Sequence, residues 1–460
     1  MSRSAGEAIL VGFVQAQNCT NFVASWRHPE HSTGFLTADY YAHIGRVLEK
    51  GCFHLALFDD RLAMPEYHGG SYEDAVRDGV RCVKLDPFAA LMPLAMATSR
   101  LGVGATLSTS YHAPFHAARL FQSMDHMTDG RMAWNIVTSL NSVEARNMGR
   151  ADVIPHDERY DRADEFLEIV LGHWNGWDDE ALVVDRSNGV FADPERVRRL
   201  DYRGRFLASR GPFTVPRSPQ GHPVLIQAGQ STRGLRFAAD WAELVFAVFP
   251  DIATARQQTD RLRELARERG REPDDIAIIH LCQPIVAETR EAAEQKRSVI
   301  AELPTTTDSL LLLSEALNLD FGGRSLDEPF TDAELNAMTG WQSLRDRTLT
   351  FTEGRSPSVR DFISATQRGR LRNPWVGTGA DIADRMEEWM TEGGCDGFAI
   401  TASHVPGSYE GFVQWVVPEL QRRGRHPKAY RGRTLRDHLG MPRPAASGAQ
   451  VDTGAAQPAR

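Results

Sequence analysis

The side chains able to do chemistry sit where short apolar runs end, and their types suit the binding of a polar heterocycle better than acid–base hydrolysis. Asp59 and Asp60 close the run Phe53–Phe58. They read equally as loop caps and as carboxylates facing a ligand. Thr106 and Ser108 end a second run, and Asn135, Thr138 and Ser139 end a third. Neutral hydroxyl and amide groups can recognise a polar ring without bringing charge to it, and plain strand-end hydrogen bonding is the competing reading. His156 and Tyr160 stand four apart, which places both on one helix face. There they could hold a phosphate or a ring, or simply be a capping histidine beside a packed tyrosine. The segment Gln227-Ala228-Gly229-Gln230-Ser231-Thr232-Arg233-Gly234 leads into a helical pattern. Gly229 lets backbone approach a ligand, Ser231 can cap the helix, and the free N–H groups of its first turn attract an anion.

Other chemistries lack their residues. His112 and His116 are four apart, but no HExxH or carboxylate partner completes a metal site. No GxSxG elbow supports a serine hydrolase, and no GK[ST] makes the 227–234 loop a nucleotide-triphosphate cradle. Cys19, Cys52, Cys82, Cys282 and Cys395 form no CxxC pair, which fits a reducing compartment. The net charge of −9 and the scattered short basic clusters speak against nucleic acid. No signal-peptide core and no long apolar run occurs, so the expectation is a cytoplasmic protein with no membrane role.

The elements that must position these residues follow from periodicity. Ile9–Val14, Phe53–Phe58, Gly102–Leu107, Met132–Val137, Val224–Ala228, Leu244–Phe249, Ile276–Leu281 and Gly397–Thr401 are almost continuously apolar, as parallel strands covered on both faces are. Amphipathic stretches such as Asp157–Trp174, Asp251–Arg269 and Ala380–Glu392 lie between them. That rhythm predicts an α/β fold, a (β/α)₈ TIM barrel with insertions, because no GxGxxG follows the first strand. Residues 1–441 form one barrel in this reading, with excursions at 175–223 and 301–375. Residues 442–460, rich in Pro, Ala and Gly, read as a disordered tail.

Longer matches add a resemblance. Trp26-Arg27-His28-Pro29, Phe53–Asp60, Trp134–Ser139, His156 through Phe166, Arg210-Gly211-Pro212, Pro223–Gly229 and Tyr430–Gly440 keep the order and spacing of one group. The chain resembles the nitrilotriacetate and dibenzothiophene-sulfone monooxygenases among bacterial-luciferase-like flavin monooxygenases. The resemblance implies FMN taken up as reduced FMNH2 from a separate NAD(P)H:flavin reductase and used with O2 on a small organic substrate. It implies flavin contacts at Asp59, Asp60, Thr106, Asn135, Ser139, His156, Tyr160, Ala228, Gly229 and Ser231. Asn135, Ser139 and His156 belong to the catalytic centre in this reading, His156 holding flavin or phosphate rather than acting as a base. Asn18, Thr20 and Trp26 would line the substrate side. Asp59 departs from the group, which usually has Ala or Pro there, and this leaves open which aspartate faces the flavin. Asn18-Cys19-Thr20 resembles the sulfone-acting branch, which favours an aromatic or sulfur-containing substrate over an aminopolycarboxylate or haloaromatic one. A homodimer or homotetramer is expected. The alternatives are a deazaflavin (F420) hydride-transfer enzyme and a non-catalytic flavin-binding protein of the same superfamily.

Overall fold

In a computed structural model that describes residues 6–446, the eight apolar runs become the eight parallel strands of a closed barrel. We label them β1 (Ile9–Val14), β2 (Leu55–Phe58), β3 (Gly102–Ser108), β4 (Met132–Val137), β5 (Val224–Gln227), β6 (Leu244–Ala247), β7 (Ala277–Cys282) and β8 (Gly397–Thr401). Neighbours in sequence are neighbours in the barrel, and β8 closes on β1 with Gly397 opposite Ile9. That seam needs glycine, because a Cβ on Gly397 would lie 2.1 Å from the Ile9 carbonyl oxygen.

The continuous apolar character has a direct cause. One set of alternating residues (Val11, Leu55, Leu57, Ile226, Phe246, Ile279) fills the lumen, while the other set (Leu10, Phe58, Trp134, Leu225) packs on the surrounding helices. Four strands end earlier or start later than the apolar runs suggest. Beyond Ala247, for example, Val248 turns out to the mouth and is exposed. The barrel floor is stoppered by the C-terminal helix Leu435–Leu439, whose Leu435 and Leu439 join the lumen cluster.

Two segments leave the barrel. Residues 175–223 carry two small antiparallel hairpins, Leu182–Asp185 with Val190–Ala192 and Tyr202–Arg203 with Ala208–Ser209. Between β7 and β8 lies a larger insertion holding the helices α3 (Thr306–Leu317) and α4 (Val359–Thr366), named after α1 (His156–Trp174) and α2 (Thr232–Trp241). The insertion has its own core, in which Phe321, Phe330 and Phe362 meet with ring centroids 5.2–5.4 Å apart. Residues 442–446 of the stretch read as a tail are anchored, since Arg443 pairs with Asp179 at 2.6 Å and Arg217 donates to the Pro444 carbonyl. The remainder of that stretch, 447–460, lies outside the described residues.

Candidate active site

The C-terminal ends of β1–β8 make the mouth, where barrel enzymes carry their chemistry. Its rim is apolar: Phe13, Val137, Val248 and Leu281 continue the inward alternation and are only partly covered. Into this rim the chain sets a short polar relay. The Asn135 amide donates to Thr106 Oγ1 at 2.9 Å, and Thr106 Oγ1 donates to the Phe58 carbonyl at 2.8 Å. Asn135 Oδ1 is left buried with no donor. A buried acceptor left unpaired costs about 1–3 kcal/mol, so a donor brought here by a ligand or a water molecule would be bound favourably. Ser139 is nearby, its hydroxyl donating to Ser108 Oγ at 2.9 Å across the β3–β4 seam. Its φ of +45° lies in the left-handed region, costing roughly 1–2 kcal/mol for a residue with a Cβ.

The two aspartates part company. Asp59 continues the inward alternation of Leu55 and Leu57, but Lys84 Nζ binds its Oδ1 at 2.5 Å. Among the described residues Asp60 has no such partner; its Oδ1 accepts the Arg61 backbone N–H at 2.7 Å. Burial pushes the Asp60 carboxyl up to about 6, Lys84 offsetting part of this and Asp59 adding to it. Asp60 is therefore neutral in mild acid and anionic above. An anionic Asp60 would repel a phosphate-bearing ligand in the mouth, so affinity for such a ligand should fall severalfold as pH rises through about 6. The Asp60→Asn variant should flatten that profile. A flavin titration from mildly acidic to neutral pH checks this, and an unchanged slope in the variant would refute it.

A second seat faces the mouth between β4 and β5. Ser231 caps α2 by accepting from the Gly234 N–H at 3.1 Å, leaving the first-turn N–H groups directed outward. His156 opens α1, with Nε2 3.3 Å from Ser231 Oγ and Nδ1 2.7 Å from Asp157 Oδ1. Tyr160, one turn on, is buried against Phe237 with ring centroids 5.5 Å apart. Burial pushes its phenol up, while the Ser231 and Thr138 hydroxyls beside it act the other way. Ala228 and Gly229 form the loop between, and a Cβ on Gly229 would lie 2.6 Å from Tyr160 Oη and 2.4 Å from Gln227 Nε2. Backbone N–H groups, a hydroxyl and a half-exposed histidine around a glycine are the donor set of a phosphate site.

The residues expected on the substrate side also brace the β1 loop. The Asn18 amide spends both ends on backbone, donating to Gly79 O at 2.7 Å and accepting from Val83 N at 3.2 Å. Thr20 is buried and bonds the Phe22 carbonyl, and the Trp26 indole donates to Asp78 O at 2.9 Å. Asn18 and Trp26 tie the β1 loop to residues 78–83, while Thr20 bonds within its own loop. Sequence reasoning missed the charged residues that complete this side: Lys84, Arg61, Arg81 and Glu315. Their partners lie far apart in the chain, and only the insertion brings Glu315 to the mouth. A cavity of about 840 Å³ at the opposite end, around Glu243, Arg271 and Asp396, touches none of these groups.

A parallel barrel with an apolar-rimmed mouth, a buried amide acceptor and a glycine-bearing helix start can accommodate a phosphorylated heterocyclic ligand. The chain belongs to the luciferase-like monooxygenase family, whose model matches residues 20–397. Dibenzothiophene-sulfone monooxygenase of Rhodococcus erythropolis is 39% identical over 455 residues, covering 95% of this chain and 98% of that one. Component A of nitrilotriacetate monooxygenase from Aminobacter aminovorans is 35% identical, covering 91% and 93%. Riboflavin lyase, solved with modified FMN and riboflavin, superposes with a TM-score of 0.85 at 29% identity, covering 95% and 96%. The chain is accordingly a flavin-dependent monooxygenase. Among the described residues no helix is long and apolar enough to cross a membrane.

Proposed function

We propose that the chain is the oxygenase of a two-component system, in which a separate NAD(P)H:flavin reductase supplies FMNH2 and O2 is the oxidant. The substrate is a small aromatic or sulfur-containing molecule, one oxygen atom entering it and the other leaving as water. Bound flavin supplies the reducing electrons and the oxygen chemistry; the protein supplies seat, orientation and dryness. Asn135 Oδ1 accepts a donor from the ring, Ser231 and the α2 first turn hold the phosphate, and Tyr160 and His156 wall that seat. The rim of Phe13, Val137, Val248 and Leu281 excludes water from the reacting face. The observation that carries this reading is the buried, unpaired Asn135 Oδ1, whose residue pairs with Ile226 on the strand that runs into the Gly229 loop. The separate reductase is supported by a relative named as component A and by the lack of a GxGxxG turn after β1.

Oxygen uptake and product formation with FMN, NADH and a generic flavin reductase, across aryl sulfones and thioethers, test the proposal. Product that disappears when the reductase is omitted supports it. Binding of F420 with no response to reduced FMN would replace it with hydride transfer.

A homo-oligomer fits one surface feature. The hairpin after α1 leaves Leu182, Val183, Val184 and Val190 between 43% and 47% exposed and Phe191 at 68%. Apolar side chains grouped this way on a hairpin mark a protein contact, and a second copy of the chain would cover them. Phe191→Asp should shift the species seen by light scattering towards monomer, and an unchanged mass would place the contact elsewhere.

A further inference from the structure

Beneath the insertion, on the β1–β2 side of the mouth, two guanidinium groups share one carboxylate and a third lies within their electrostatic reach. Arg61 follows Asp60 directly and forms an ion pair with Glu315 of α3. Arg81 Nη1 lies 3.9 Å from the other oxygen of the same carboxylate. Arg368 follows α4, and its backbone is pinned there because Gly369 packs on the Asp308–Ser309 backbone, 3.0 Å from where a Cβ would stand. Its guanidinium lies 4.6 Å from the Trp341 ring centroid, and its Nε is buried with no acceptor. Among the described residues no carboxylate pairs with Arg368.

Most of the surrounding acids are already engaged, and Asp60 accepts the Arg61 backbone N–H. Asp308 takes Arg27 at 2.6 Å, Asp59 takes Lys84 at 2.5 Å, and Glu144 accepts the Leu62 N–H at 3.1 Å. Glu315 is shared between Arg61 and Arg81 and also lies 3.5 Å from the Asn141 amide nitrogen. Arg372 adds further positive charge beside Arg368. Arg368 is thus left without a carboxylate of its own, in a place where an enclosed and uncompensated charge costs several kcal/mol. Burial draws Arg368 well below the usual arginine range, and Arg81 and Arg61 add to the effect. Burial likewise pulls Arg61 down to about 10. A cluster in that condition is stabilised by an anion, and a planar guanidinium stacked on tryptophan with its edge free matches a carboxylate or sulfonate.

We propose that Arg368, with Arg61 and Arg81, seats an anionic substituent, a carboxylate or a sulfonate, of the organic substrate. The proposal rests on the monooxygenase reading and narrows its substrate from neutral aromatic sulfur compounds to acidic ones. The seat is separate from the phosphate site: Arg61 follows β2, whereas Gly229 and Ser231 follow β5, three strands round the barrel. One anion can therefore belong to the flavin and another to the substrate.

Binding without turnover keeps this test apart from the test of monooxygenation. Benzoate, benzenesulfonate and neutral benzamide would be titrated by calorimetry into the full-length protein, into Arg368→Gln and into Arg368→Lys. The expected result is saturable binding of at least one acid, at least about tenfold weaker binding of benzamide, a comparable loss in Arg368→Gln and substantial recovery in Arg368→Lys. The carboxylate and sulfonate arms tell which anion the seat prefers. Equal binding of acids and amide, no saturable binding of either acid, or the same affinity in wild type and Arg368→Gln would each overturn the proposal. Titration of FMN and riboflavin into the same variants decides the competing occupant. If Arg368→Gln weakens FMN but leaves riboflavin unchanged, the cluster is the flavin phosphate seat and the proposal is wrong.

Discussion

Gly229→Ala should bind FMN about 10–100-fold more weakly than the wild type while riboflavin binding changes far less. The cause is local. The new methyl group would meet Tyr160 Oη at 2.6 Å and Gln227 Nε2 at 2.4 Å, both well inside van der Waals contact. Gln227 can swing its amide away, but Tyr160 has little freedom, with Phe237 on one side and the Arg233 guanidinium 5.5 Å from its ring centroid on the other. The ring must shift or the 228–231 loop must rise, and either moves the α2 N-terminus relative to His156. Overpacking of this kind costs typically 1–3 kcal/mol, which is the quoted loss of affinity when it falls on the bound state. Because the loop lies at the mouth rather than in the core, the unfolding midpoint should hardly move. Quenching of flavin fluorescence on titration reads both ligands. A parallel loss for FMN and riboflavin would mean that the loop holds the ring, and no loss for either would mean that the phosphate sits elsewhere.

The barrel was legible because its strands are buried on both faces, so each run of β-branched and aromatic residues announces itself without help from distant sequence. Met132–Val137 and Gly397–Thr401 have the bounds that their composition implies. The loop and helix start at Gly229 and Ser231 were legible for a related reason: they are one continuous segment, and His156 with Tyr160 is another. What the sequence hid depends on long-range closure. Nothing near Arg61 indicates Glu315, and nothing near Asp59 indicates Lys84, since each pair is joined only when the β1–β2 loops and the insertion fold over the mouth. Asn18 and Trp26 show the converse. Their side chains are the kind that line a pocket, yet their hydrogen bonds go to backbone carbonyls at Gly79 and Asp78. The choice between Asp59 and Asp60 also needed coordinates, because one lysine decides which of two adjacent carboxylates keeps a free edge.

The largest stability effect is expected at the other end of the barrel. Arg436 of the stoppering helix is almost wholly buried and makes a two-pronged ion pair with Glu243, at 2.6 and 2.9 Å, while Glu243 Oε2 also accepts from the Leu225 N–H at 3.0 Å. Arg436 further reaches the His222 carbonyl, so one guanidinium joins the stopper to the starts of β5 and β6. Removing one partner of a buried pair leaves the other charged and unpaired, and typically costs about 3–5 kcal/mol. Arg436→Met should lose that much in urea unfolding at neutral pH. Burial alone would raise the Glu243 carboxyl, but Arg436 and His222 hold it below the usual glutamate range. In the wild type its contribution is therefore present above the unfolded carboxyl range and lost as pH falls through the lower, folded value. In Arg436→Met burial acts unopposed and the carboxyl titrates upward, so acidification neutralises the stranded charge. The gap between variant and wild type should accordingly be widest at neutral pH and narrow towards about pH 5. Adding Glu243→Gln should restore part of the loss, since the double variant buries no net charge. A gap that stays constant with pH would mean that Arg436 acts through packing of the stopper and not through its charge.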